Sequence, residues 1–135
     1  MTDPKSLLAA AIAARRGAYA PYSGFSVGVA LLGRDGRVWT GANVENASYG
    51  LSMCAERVAL FHAVAAGARN FDALAIAGPE GVTTLPCGAC RQALWEFAQT
   101  LRIIYADRSG MKASSIQALF PEPFGPAQLQ EARPH

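Results

Sequence analysis

The sequence predicts an α/β fold in which a mixed sheet is covered by helices. Three observations lead there. The hydrophobic period switches repeatedly between alternation and a repeat of 3.6 residues. Turn signals such as Asp35-Gly36 and Gly78-Pro79-Glu80-Gly81 punctuate those switches. The chain has 135 residues, of which 51% are apolar and 16% charged, enough to bury the core of one domain spanning 1–135 but hardly of two.

The elements follow in order. Asp3 is a helix N-cap and Pro4 the first helical position, with Leu7, Leu8, Ala11 and Ile12 on one face and Gly17 as the stop. Tyr19-Ala-Pro-Tyr-Ser-Gly24 is a turn-rich loop. Phe25 to Leu32 alternates as a strand, Asp35-Gly36 marks a hairpin, and Arg37 to Thr40 is the return strand. Asn, Ser and Gly break both periods between Asn43 and Met53, which predicts an irregular loop. From Cys54 a helical period places Val58, Phe61 and Ala65 on the apolar face and ends at Gly67. So little of that helix is polar between Val58 and Ala66 that burial in an oligomer is expected. Phe71 to Ala77 is a strand. Pro86 introduces a second helix with Ala93, Leu94 and Phe97 at core spacing. Arg102 to Ala106 is a strand, Asp107 to Gly110 a turn, and Ser115 to Leu119 a short helix before a Pro-rich tail. Trp39, Phe61, Phe71 and Trp95 are expected in the core or at subunit contacts.

Charge and hydropathy exclude several classes. Twelve Lys/Arg against ten Asp/Glu give a net charge of +2, with the positive groups scattered, so no nucleic-acid-binding face is expected. The longest Leu/Ala-type run, Leu7 to Ala14, has eight residues, short of the roughly 20 that cross a bilayer. Asp3 offsets Lys5 and Arg15-Arg16 interrupts the run, which disfavours a secretion signal. A cytoplasmic protein is expected, in which the Asn46-Ala47-Ser48 sequon is idle.

The three cysteines carry the chemistry. An odd number makes a poor disulfide framework. Cys54 and Cys87 each open a predicted helix, and Cys90 lies one turn inside the second, on the same face as Cys87. A helix N-terminus favours thiolates. Three thiolates converging there make a zinc site one protein ligand short of the usual structural four, so that a position is left for water, which zinc acidifies to a pKa of about 7. Of the two histidines, His62 lies two turns into its helix and His135 at the terminus, and neither is placed to close the site. Glu56, two residues from Cys54, suits a proton carrier for that water. Its plainer role is an acid stabilised by the helix dipole.

Cys54-Ala-Glu56-Arg57 together with Pro86-Cys-Gly-Ala-Cys-Arg-Gln92 resembles the small three-cysteine cytidine deaminases. Tyr19 to Phe25, Asn43-Val-Glu45-Asn-Ala47, Leu119-Phe-Pro121 and Phe124-Gly-Pro126 extend the likeness over most of residues 15 to 127. The resemblance implies a three-layer α/β/α fold with a mixed central sheet of about five strands. It implies hydrolytic deamination of cytidine and 2′-deoxycytidine in pyrimidine salvage, with one Zn²⁺ per subunit on Cys54, Cys87 and Cys90. By the same likeness Glu56 shuttles the proton, Ala55 and Cys87 fix the base through their backbone, Phe25 packs on it, and Asn43 and Glu45 hold the ribose. Phe124 would reach a neighbour's site in a homotetramer.

Two consequences are chemical. Three thiolates on Zn²⁺ leave a negative centre, and Arg57, which matches a family arginine, is expected to withdraw charge by donating to sulfur. Glu45 beside the sugar would repel a 5′-phosphate, and no glycine-rich or Arg/Lys cradle compensates, so a nucleoside is expected over a nucleotide. The competing possibilities are a blasticidin S-type deaminase, a non-catalytic zinc module, and a thiol–disulfide protein using Cys87 and Cys90.

Overall fold

The computed structural model describes residues 2–133; the expected position of His135 lies outside them. Helix α1 spans Pro4–Ala14 and strands β1 and β2 span Gly28–Gly33 and Val38–Ala42. Helix α2 (Ala55–Ala65) leads to β3 (Phe71–Ala77), and α3 (Gly88–Phe97) to β4 (Arg102–Asp107) and β5 (Gly110–Ser115). Short helices α4 (Ile116–Leu119) and α5 (Pro126–Ala132) complete the described chain. The sheet order is β2-β1-β3-β4-β5. Only β3 and β4 run parallel, joined by the crossover through α3 that a parallel pair requires.

The sheet separates two cores. Val29, Leu31, Leu74, Ile76 and Ile103 pack with residues of α2 and α3, whereas Ala30, Ala73, Ala75, Ala77 and Ile104 pack with Leu7, Leu8 and Ala11 of α1. Alternation along each strand therefore sends large side chains one way and mostly alanines the other. The result is the expected α/β/α sandwich with five strands.

Several local signals act as expected. Asp3 caps α1 by accepting from the Ser6 N–H at 2.7 Å, and Ser115 caps α4 by accepting from the Ala118 N–H. Other expectations need correction. β1 starts at Gly28, not Phe25, because the Asn43 amide satisfies the Phe25 carbonyl and the Val27 N–H in place of a strand partner. Ile12 is 53% exposed at the margin of α1, whereas Leu7, Leu8 and Ala11 are buried. On α2 the buried residues are Ala55, Glu56, Ala59, Leu60 and Ala63, while Phe61 is 47% exposed and Ala65 faces out. The cause is closeness. At Gly41 of β2 a Cβ would lie 2.7 Å from both the Ala55 carbonyl and the Ala59 N–H nitrogen, so only small residues fit between α2 and the sheet. The fifth strand and α5, which the sequence does not signal, complete the edge and the tail.

Candidate metal centre and active site

Cys54 is the N-cap of α2 and Cys87 the N-cap of α3, and neither makes a side-chain capping bond. Both thiols thus sit at a helix mouth among N–H groups that lack intrahelical partners. Cys90 follows one turn inside α3 and is fully buried. The Sγ atoms of Cys54 and Cys87 are 3.8 Å apart, those of Cys87 and Cys90 3.4 Å, and all three lie within 4.8 Å of one another. Tetrahedral zinc with Zn–S bonds of about 2.3 Å spaces its sulfurs by about 3.8 Å, so the set fits zinc. No histidine or carboxylate among the described residues joins the group. His62 packs edge-on against Trp39, with ring centroids 5.1 Å apart, on the outer side of α2.

Electrostatics single out Cys54. A hydrogen bond from the Cys90 thiol, and then the Arg57 guanidinium, draw its pKa down to about 5, while the same thiol contact and burial push Cys90 upward. Arg57 Nη2 donates to Cys54 Sγ at 3.6 Å. That contact holds the guanidinium firmly protonated, and its buried Nε has no protein acceptor. Glu56 is only 3% exposed. Burial raises its pKa above the ordinary carboxylate value, and the Cys54 charge adds to that. Arg91 anchors the other helix start by donating to the Pro86 carbonyl at 2.7 Å and the Leu119 carbonyl at 2.6 Å.

A cavity of about 270 Å³ opens beside these groups, with Phe25, Asn43, Glu45, Ala55, Glu56 and both Cys54 and Cys87 in its wall. The structure thus gathers the sequence-predicted residues at one place, with the exception of Phe124. Phe124 is not in that wall; it lies against α3, where its carbonyl accepts from Gln92 Nε2, and the residue is 57% exposed. Asn43 and Glu45 also brace the loop. Asn43 donates to the Phe25 carbonyl and accepts from the Val27 N–H, which leaves one donor and one acceptor free. Glu45 accepts from the Tyr22 and Ser23 N–H groups and the Ser23 hydroxyl, which hold its pKa low. It stands at the solvent margin, where repulsion of a phosphate is more screened than in a closed pocket. Sequence reasoning missed Ser23 as the partner of Glu45 and Thr84 as a buried wall residue. Nothing in the local sequence marks Thr84; the Tyr-Ser-Gly turn could have marked Ser23. Larger cavities of about 450 and 520 Å³ lie beside α1 and the β1–β2 turn, and neither is lined by a thiol or a buried carboxylate.

Comparison with known proteins agrees with this chemistry. The family described as "Cytidine and deoxycytidylate deaminase zinc-binding region" matches residues 1–107. A cytidine deaminase of Halalkalibacterium halodurans is 50% identical over 103 residues, covering 76% of this chain and 78% of that protein. One from Sporosarcina psychrophila is 39% identical over 132 residues, covering 96% and 97%. The crystal structure of cytidine deaminase from Burkholderia pseudomallei superposes with a TM-score of 0.84 at 48% identity, covering 92% of this chain and 100% of that one. The sulfur triad, the five-stranded sandwich and these similarities together assign the chain to the cytidine and deoxycytidylate deaminase zinc-binding family.

Proposed function

We propose that this chain is a zinc-dependent hydrolase that deaminates cytidine and 2′-deoxycytidine to uridine and 2′-deoxyuridine with release of ammonia. The observation that carries this reading is a metal-competent sulfur triad, two of whose cysteines, Cys54 and Cys87, share a cavity wall with the buried carboxylate of Glu56. Zinc held by Cys54, Cys87 and Cys90 supplies Lewis acidity that brings the pKa of water to about 7. Glu56 takes one proton from the attacking water and delivers it to N3 of the base. It then takes the second proton from the C4 hydroxyl so formed and passes it to the amine, which leaves as ammonia as the C4–N bond breaks and the C4 carbonyl forms. Burial, which raises the Glu56 pKa, strengthens the carboxylate as a base toward the water and helps it hold each proton until it is passed on. Arg57 withdraws charge from the Cys54 sulfur. Phe25 packs on the base, the backbone at Ala55 and Cys87 orients it, and Asn43 and Glu45 bind the ribose with their remaining hydrogen-bonding capacity.

Residues 1–135 act as one domain, supported by the single sheet that both helical layers share. The substrate is a free nucleoside, because no arginine or lysine lines the cavity. A homotetramer is supported by two exposed aromatic residues, Phe61 on α2 and Phe124 beyond α4, the latter serving a neighbour's site. No helix among the described residues is long and apolar enough to cross a membrane. Three thiols kept for metal suit a reducing cytoplasm and a role in pyrimidine salvage.

The test is an ultraviolet assay of cytidine loss on wild type and Glu56→Gln at matched zinc content. Wild type turns over cytidine, and the variant falls by about 10²–10⁴-fold. Equal activity of the two proteins would remove Glu56 from the reaction.

A further inference from the structure

The cysteine pair on α3 has a second chemistry available to it. Cys87 is exposed at the helix N-cap, and Cys90 is buried one turn in. Their sulfurs stand 3.4 Å apart, closer than the 3.8 Å between Cys54 and Cys87. The helix that bears them is the crossover of the parallel β3–β4 pair. A Cys-x-x-Cys at the start of a helix in a β-α-β unit, with an accessible first sulfur and a shielded second, is the arrangement of dithiol redox motifs.

We propose that Cys87 and Cys90 form a reversible redox latch: peroxide closes them into a disulfide and releases the metal, and a thiol reductant reopens the site. The Cys87 sulfur attacks a peroxide oxygen, the O–O bond breaks, and water leaves, giving a sulfenic acid on Cys87. The Cys90 sulfur then attacks the Cys87 sulfur, the S–S bond forms, the S–O bond breaks, and a second water leaves. In the zinc-loaded site the two sulfurs are thiolates. With hydrogen peroxide as oxidant the sum is therefore two thiolates, H₂O₂ and two protons from solvent giving one disulfide and two waters, with the ion set free as Zn²⁺. Each sulfur gives up one electron and the peroxide oxygens accept both.

Geometry selects this pair over the alternatives. Closing to an S–S bond of about 2.05 Å inside one helical turn needs only rotation of side chains, and the Cys87 side chain makes no capping bond that would resist it. A bridge to Cys54 would draw α2 and α3 together. There α2 is already pressed on Gly41, and Arg57 holds the Cys54 sulfur at 3.6 Å. Closure removes two of the three sulfurs, which a zinc ion does not survive. The resolving Cys90 also spares Cys87 from irreversible oxidation to sulfinic acid.

The latch rests on the three-sulfur geometry and not on the deaminase reading, so it can fail alone. The experiment treats the zinc-loaded chain with stoichiometric hydrogen peroxide and follows zinc with a chromogenic chelator, free thiols by titration, and linkage by peptide mass mapping. Free thiols are expected to fall from three to one as zinc appears, with the remaining thiol on Cys54, and dithiothreitol plus zinc restores all three. Cys54→Ser is expected to form the same Cys87–Cys90 bridge. A bridge to Cys54, sulfinic acid on Cys87 without a disulfide, or zinc retained with every thiol reduced would each overturn the proposal.

Discussion

The two helix starts that meet at the sulfur group are built in opposite ways. That of α2 is closed: Ala55 and Glu56 are buried, Arg57 reaches back to Cys54, and Gly41 lets the helix press on the sheet. That of α3 is open: Cys87, Gly88 and Ala89 are exposed, and only Cys90 is buried. The difference separates two needs of hydrolytic chemistry. The closed start perturbs a carboxylate by desolvation and sets charge on sulfur, while the open start admits solvent and small reactants.

Substitutions can break or sharpen this contrast. The largest effect belongs to Glu56→Gln, which removes the one titratable side chain of the closed start that can move a proton and lowers kcat by about 10²–10⁴-fold with zinc retained. Next is Arg57→Ala, expected to weaken zinc affinity by about 10–100-fold in chelator competition and to shift the pH–rate profile. Full zinc content with an unchanged profile would show that the guanidinium does not tune the metal. A glycine pair then compares the two starts directly. Gly41→Ala drives a Cβ to 2.7 Å from α2 backbone atoms, and such overpacking costs about 1–3 kcal/mol in urea unfolding. Gly88→Ala meets no atom within 4 Å and should stay within about 0.5 kcal/mol. Equal losses in both would refute the asymmetry.

The smallest effect is a stability–pH signature of the metal-free protein. Burial raises the Glu56 pKa above 4.5, its ordinary value. Below that value the carboxyl is neutral in both folded and unfolded chains and costs nothing. As pH climbs past it the unfolded chain ionises first, so stability is lost progressively up to the raised folded pKa. Glu56→Gln should therefore match wild type in acid and exceed it at neutral pH, by thermal melting. A variant less stable at neutral pH than in acid, relative to wild type, would reverse the sign.

Where the sequence was legible, short-range chemistry decided the structure. Asp3-Pro4 starts α1, Asp35-Gly36 turns the hairpin, and the cysteines stand at the helix mouths their positions implied. Hydrophobicity misled on α2. The bulky Val58, Phe61 and Ala65 pattern looks like a core face, yet the helix lies so near the sheet that alanines fill the contact and Phe61 is left outside. The strand β5, Gly-Met-Lys-Ala-Ser-Ser, contains no β-branched residue and pairs only with β4, so its conformation comes from the neighbouring strand rather than from propensity. The cavity wall beyond the cysteines was legible mainly through resemblance. Asn43 and Glu45 lie in an irregular loop whose form depends on bonds to residues about 20 positions away, such as Val27 and Ser23.

Zinc-edge X-ray absorption of the purified chain, with metal analysis, tests the centre most directly. The geometry predicts one zinc per chain with three sulfur scatterers at about 2.3 Å and one light-atom scatterer. Four sulfurs, a set dominated by nitrogen and oxygen, or a folded chain that binds no zinc would contradict it.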